Sequence, residues 1–234
     1  MVRRRLKVRL AAPRAAALNT AVSLVVMTAA IPLAAHAANS VNAPEAAKPV
    51  IVVLGDSISA EYGLPRDTGW VALMRQRLAS ERIDYSVANA SISGDTTSGG
   101  RARMPELMLR LKPSIVIVEL GANDALRGVP LATTEDNLRT IIEQAQQGHA
   151  KVVLVGMYVP PNYGPDYTQK FHGVYEQLSN EFHVPLVPFL LAGIADKPEM
   201  FQADQIHPTQ QAQGVLLNNV WPTLKPLLHA SSSP

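Results

Sequence analysis

Five short runs of apolar, largely β-branched residues punctuate the chain, at Val50 to Leu54, Tyr85 to Ala88, Ile115 to Leu120, Lys151 to Gly156 and Val184 to Val187. Runs of this length that stay apolar without alternating predict strands buried on both faces. Between them the spacing becomes helical: Trp70, Leu73, Met74 and Leu78 share one face, and so do Leu138, Ile141, Ile142 and Ala145. Strands alternating with helices predict an α/β domain with a parallel sheet covered on both faces, running from Val50 to about residue 230. The last segment, Thr209 to about Leu228, reads as a helix that Pro222 should interrupt. Tyr158 to Tyr167 carries three prolines and three tyrosines and predicts an ordered surface loop. It follows the fourth strand, and ligands of open α/β sheets bind at the carboxyl ends of strands, so this loop is a candidate wall of a site.

The first residues do not fit this pattern. Arg3, Arg4, Arg5, Lys7, Arg9 and Arg14 precede an uncharged apolar run from Ala21 to Ala35, which ends in Ala35-His36-Ala37. That is the layout of a secretory signal peptide, cleaved after Ala37; the alternative is a retained amino-terminal anchor. The run is shorter than the roughly 20 residues needed to span a bilayer. Residues 38 to 49 are small, polar and proline-bearing and read as a flexible leader. A periplasmic or secreted protein with no stable membrane span after cleavage is expected.

Export also changes the charge. Of 21 Lys and Arg, six leave with residues 1 to 37 and none of the 19 Asp and Glu do, so the mature chain carries about −4. The sequence pI of about 8.9 therefore belongs to the signal, and no basic run remains to neutralise nucleic-acid phosphates. The absence of cysteine excludes disulfides, thiolate zinc sites and a cysteine-linked lipid anchor.

Four short blocks carry candidate chemistry. Gly55-Asp56-Ser57 follows the first strand, where a serine can project toward substrate; the same turn also occurs for turn chemistry alone. Gly94, in Asn89-Ala90-Ser91-Ile92-Ser93-Gly94-Asp95, lets its N–H approach a ligand closely. Asn123, in Gly121-Ala122-Asn123-Asp124, offers an amide donor, or a helix cap. Asp204-Gln205-Ile206-His207-Pro208 opens the predicted final helix, and its three-residue spacing lets the carboxylate hold Nδ1–H while Nε2 stays free. His149, His172, His183 and His229 have no carboxylate at that spacing and read as helix-end or surface residues. Asp56 and Asp124 read as turn-fixing residues.

Together the blocks resemble the SGNH (GDSL-type) hydrolase superfamily through Ser57, Gly94, Asn123 and His207. Leu-Gly-Asp-Ser-Ile-Ser-Ala, Asn-Ala-Ser-Ile-Ser-Gly-Asp-Thr, Val-Glu-Leu-Gly-Ala-Asn-Asp-Ala-Leu-Arg-Gly and Pro-Pro-Asn-Tyr-Gly extend the likeness to the periplasmic acyl-CoA thioesterase I, lysophospholipase and arylesterase family. The resemblance implies a flavodoxin-like three-layer α/β/α fold with a mainly parallel five-stranded sheet, no cofactor or metal, and a monomer acting on small-molecule ester, thioester or lipid substrates. It implies a catalytic triad of Ser57, His207 and Asp204 and an oxyanion hole of Ser57, Gly94 and Asn123. Met157, Tyr158, Val159 and Tyr163 are candidates to line an acyl groove, or to pack the loop onto the sheet. One departure is Glu61, where the family usually has glycine: its carboxylate would narrow the entrance or repel anionic head groups, or sit solvated at a helix start. Two alternatives to the esterase reading stay open, a carbohydrate O-deacetylase of the same superfamily and an inactive lipid- or glycan-binding module.

Overall fold

The computed structural model describes residues 48–228. The predicted signal segment, most of the leader and the carboxyl tail lie outside them. Within them, five strands form one parallel sheet: β1 (Val50–Gly55), β2 (Ser86–Asn89), β3 (Ile115–Glu119), β4 (Lys151–Val155) and β5 (Leu186–Val187). Their order is β2-β1-β3-β4-β5, and the parallel five-stranded sheet is the one the apolar runs and the resemblance predict. The central strands β1, β3 and β4 are almost wholly buried, which is why they read as unbroken apolar runs.

Six α-helices cover the sheet: α1 (Trp70–Ser80), α2 (Thr97–Leu111), α3 (Ala122–Leu126), α4 (Leu131–Gln147), α5 (Pro165–Phe182) and α6 (Gln213–Leu228). α1 packs with α6, while α2 packs with α4 and α4 with α5, giving the two outer layers. The predicted faces are the buried ones: Trp70, Met74 and Leu78 in α1, and Leu138, Ile141, Ile142 and Ala145 in α4.

Two helix boundaries differ from the sequence expectation. Pro222 does not interrupt the last helix; Pro222 and Pro226 both lie inside α6, on its exposed side. Burial of Val220, Trp221, Leu224 and Leu228 holds the helix across the missing backbone hydrogen bonds. The segment after Tyr158 is only partly loop, because α5 begins at Pro165, whose fixed φ suits the first helical position.

The topology places the site. β1 lies between β2 and β3, so the chain leaves it in one direction toward β2 and later returns on the other side to add β3. That reversal opens a crevice at the carboxyl ends of these three strands, and Ser57, Gly94 and Asn123 follow β1, β2 and β3 in turn.

Candidate active site

Ser57 lies in the turn after β1, held by Ala60 N–H donating to Asp56 O at 2.9 Å and Tyr62 N–H to Ser57 O at 3.1 Å. Parallel register sets Gly55 beside Glu119, and the Glu119 carboxylate tucks beneath the turn. It accepts from Ser59 Oγ at 2.6 Å and from the Asp56 N–H at 3.3 Å. A Cβ on Gly55 would lie 2.7 Å from Glu119 Oε2, so glycine before Asp56 is a packing requirement. Trp70 Nε1 donates to Ser59 Oγ at 3.2 Å and Asn89 Nδ2 to Ser59 O at 2.8 Å, bracing the turn from two further elements.

Asp204 and His207 do not open the final helix. They occupy a tight turn closed by an antiparallel bridge between Phe201 and Pro208, with Gln202 N–H donating to His207 O at 2.8 Å. The residue before proline avoids helical geometry, so His207-Pro208 directs the chain away from a helix start. Asp204 Oδ1 accepts from the Ile206 and His207 amides at 2.9 and 3.0 Å. Its Oδ2 lies 2.7 Å from His207 Nδ1, and His207 Nε2 lies 2.9 Å from Ser57 Oγ. The His207 amide, then its ring, hold the Asp204 carboxyl down to about 2, so it is ionised throughout the neutral range. Tyr62 packs over the imidazole with ring centroids 4.3 Å apart.

On the other side of Ser57, Asn123 sits in the first turn of α3. Its Nδ2 donates to Asp56 Oδ2 at 3.0 Å, while Asp56 Oδ1 accepts from the Ile58 N–H at 3.0 Å. Asp56 is thus more than the local turn-fixer expected from sequence, because it also holds the Asn123 amide. Burial pushes the Asp56 carboxyl up to about 6, against the lowering effect of the Ile58 amide and the nearby His207. Burial, and then Asp56 itself, push Glu119 well above the carboxylate range. Gly94 has φ of +78°, and Arg127 Nη2 donates to its carbonyl at 2.7 Å. Asp124 is likewise not a local turn-fixer: it is buried and accepts from the Thr97 amide at 2.9 Å, tying α3 to the start of α2.

Met157, Tyr158 and Val159 line a cavity of about 1250 Å³ that also touches Ile58, Ala122 and Ile206, the chain neighbours of Ser57, Asn123 and His207. Tyr163 does not line it and instead stacks on Tyr167 at 5.9 Å. The Glu61 carboxylate is not among the residues that line the cavity and does not stay free in solvent. It accepts from the Asp67 and Gly69 amides at 2.9 and 2.7 Å, the latter at the start of α1. His172 is not a surface residue: it is 7% exposed and lines the cavity. Sequence reasoning also missed Tyr62 and Glu119, whose partners are far away along the chain. Among the described residues, no cluster of three or more His, Cys, Asp or Glu is arranged to hold a metal ion.

A parallel α/β/α sheet with this constellation at its switch point defines a serine-hydrolase-like class of protein, and the comparisons specify which. The chain belongs to the GDSL-like lipase/acylhydrolase family, whose family model matches residues 53–215, and it is a hydrolase of ester bonds. It is 51% identical over 184 residues to the esterase TesA of Pseudomonas aeruginosa, covering 79% of this chain and 92% of that one. It is 40% identical over 187 residues to the thioesterase 1/protease 1/lysophospholipase L1 of Escherichia coli, covering 80% and 88%. The crystal structure of the psychrotrophic esterase EstA from a Pseudoalteromonas species, inhibited by monoethylphosphonate, superposes with a TM-score of 0.74 at 36% identity. That match covers 77% of this chain and 99% of EstA.

Proposed function

We propose that the protein hydrolyses carboxylic esters and acyl thioesters through an acyl-enzyme on Ser57, with His207 as general base and acid and Asp204 as its orienting partner. The observation that carries the proposal is the unbroken relay from Asp204 Oδ2 to His207 Nδ1 at 2.7 Å and from His207 Nε2 to Ser57 Oγ at 2.9 Å. His207 Nε2 takes the Ser57 proton as Oγ attacks the acyl carbonyl, and passes it to the departing alkoxide or thiolate. Water repeats the sequence on the acyl-enzyme and frees the acid. Asp204 stays ionised and stabilises the imidazolium formed in each half. The Ser57 and Gly94 backbone N–H groups and the Asn123 amide receive the tetrahedral oxyanion.

The large cavity, predominantly apolar around Ile58, Met157 and Val159, supports medium to long acyl groups over acetate, and so the esterase reading over sugar deacetylation. A series of p-nitrophenyl esters and acyl-CoA thioesters of rising chain length tests this on residues 38 to 234. Turnover should climb from acetate to medium chains; highest activity on acetylated sugars would overturn it. Ser57→Ala should lose activity entirely, and retention of more than about 5% would remove Ser57 from the role. Asn123→Ala should stay folded yet lose about 10²- to 10³-fold in kcat.

The mature enzyme is proposed to act as a monomer, in the periplasm or outside the cell, after loss of residues 1 to 37. No helix among the described residues is long and apolar enough to cross a membrane. Amino-terminal sequencing of the exported protein should begin at Ala38.

A further inference from the structure

We infer that the wall of the cavity contributed by α5 is a polar recognition strip that selects acyl groups carrying a neutral hydroxyl on the chain. The inference rests on the hydrolase reading above and names the substrate class it serves. Thr168, His172 and Glu176 are spaced four apart, so they share one face of α5, and all three line the cavity together with Gln169. Much of the remaining lining is apolar, with Met157, Val159, Phe189 and Leu191 among it. A cavity built only for alkyl chains gains nothing from such a strip, because a chain laid along it must desolvate each polar group.

His172 is the unusual member. It is 7% exposed, and its Nδ1 is buried without a hydrogen-bond partner. Its Nε2 is 3.6 Å from Glu176 Oε1, too far for a hydrogen bond. Nδ1 is enclosed by protein, so Nε2 is the ring atom left unspent and within a ligand's reach. The imidazole is nevertheless held in place: Tyr158 stacks on it at 3.9 Å with the rings 15° from parallel, and Phe189 meets Tyr158 edge-on at 4.9 Å. A fixed ring with an unspent nitrogen in a mostly apolar cavity is the form of a specificity contact.

The lining also restricts the ligand's charge. Glu176 and Asp196 both line the cavity, and no lysine or arginine does, so a carboxylate-terminated chain would be repelled. A hydroxyl, which both donates and accepts, can meet His172 Nε2 and the neighbouring Glu176 carboxylate without adding charge.

The test compares the p-nitrophenyl ester of unsubstituted dodecanoate with dodecanoates hydroxylated near the carbonyl, at mid-chain and at the end, using the mature enzyme. The expected result is a kcat/KM about tenfold higher for at least one hydroxylated isomer than for the plain chain. His172→Phe, which keeps the aromatic stack under Tyr158, should bring that ratio, taken between the two esters within the one variant, to about one. If the wild-type enzyme prefers no hydroxylated isomer, or His172→Phe keeps the preference, the inference is overturned. The wild-type comparison needs no variant, so poor folding of His172→Phe does not shelter the inference. Failure of the wild-type enzyme on every ester, plain included, would instead strike the hydrolase reading.

Discussion

Asp56→Asn isolates the contact on which the Asn123 donor depends. The Asp56 carboxylate is 1% exposed and uses one oxygen for the Ile58 amide and the other for Asn123 Nδ2, both at 3.0 Å. Asparagine has the same shape but a single acceptor oxygen, so one of those two donors must face an NH₂ group. A hydrogen bond to a charged group contributes about 1.5–3 kcal/mol, and each 1.36 kcal/mol of barrier is about tenfold in rate. If the displaced partner is Asn123, kcat should fall about 10- to 150-fold with KM little changed, because the lost alignment matters when the oxyanion forms. The loss is capped by that of removing the Asn123 amide itself. The double variant Asp56→Asn with Asn123→Ala should be no slower than Asn123→Ala alone. Initial rates on a medium-chain p-nitrophenyl ester, with melting curves to establish folding, supply every value. Asp56→Ala removes both acceptors; a kcat within twofold of wild type in that variant, or additive losses in the double variant, would refute a positioning role for Asp56.

Two further outcomes concern stability. Burial raises Asp56 to about 6 and Glu119 well above its ordinary value, so above the unfolded carboxylate range the folded state binds more protons than the unfolded one until both groups have ionised. Their contribution is therefore fully present below about pH 4; the Asp56 part is lost as pH rises through about 6. Asp204 acts in the opposite sense, losing its contribution as pH falls toward about 2. Chemical denaturation from pH 4 to 8 should show the decline, and Glu119→Gln should flatten it; an unchanged slope would count against the buried pair. Separately, Glu61→Ala removes the acceptor of the Asp67 and Gly69 amides and should cost about 1–2 kcal/mol by calorimetry. Its KM for an anionic acyl-CoA should stay within twofold of wild type; a large KM drop would restore Glu61 to a gating role at the entrance.

Much of this was legible in the sequence because it is local. The apolar runs mark strands buried on both faces, and Ser57, Gly94 and Asn123 each follow one directly. Asp204 and His207 declare themselves by a three-residue spacing, although their setting did not: Pro208 favours an extended turn where helical spacing suggested a helix start. What stayed hidden joins distant segments. Tyr62 meets His207, Asp56 meets Asn123, and Glu119 lies under Ser59, with no period or motif to announce the contact. Glu119 emerges only once the β1–β3 register sets it beside Gly55. His172 was misjudged because charged and polar neighbours surround it, yet it sits one residue from Phe171 and three from Tyr175, at the edge of the buried stripe of α5. Pro222 misled because its cost to a helix was weighed without the Trp221 and Leu224 burial that offsets it.

The central claim is that Ser57, activated through His207, forms the covalent intermediate. Intact-mass measurement after exposure to a fluorophosphonate, followed by peptide mapping, tests it most directly. One phosphonyl group on Ser57 is predicted, with labelling absent in Ser57→Ala and slowed at least about 10³-fold in His207→Ala. An adduct on another residue, or labelling that survives in Ser57→Ala, would contradict it.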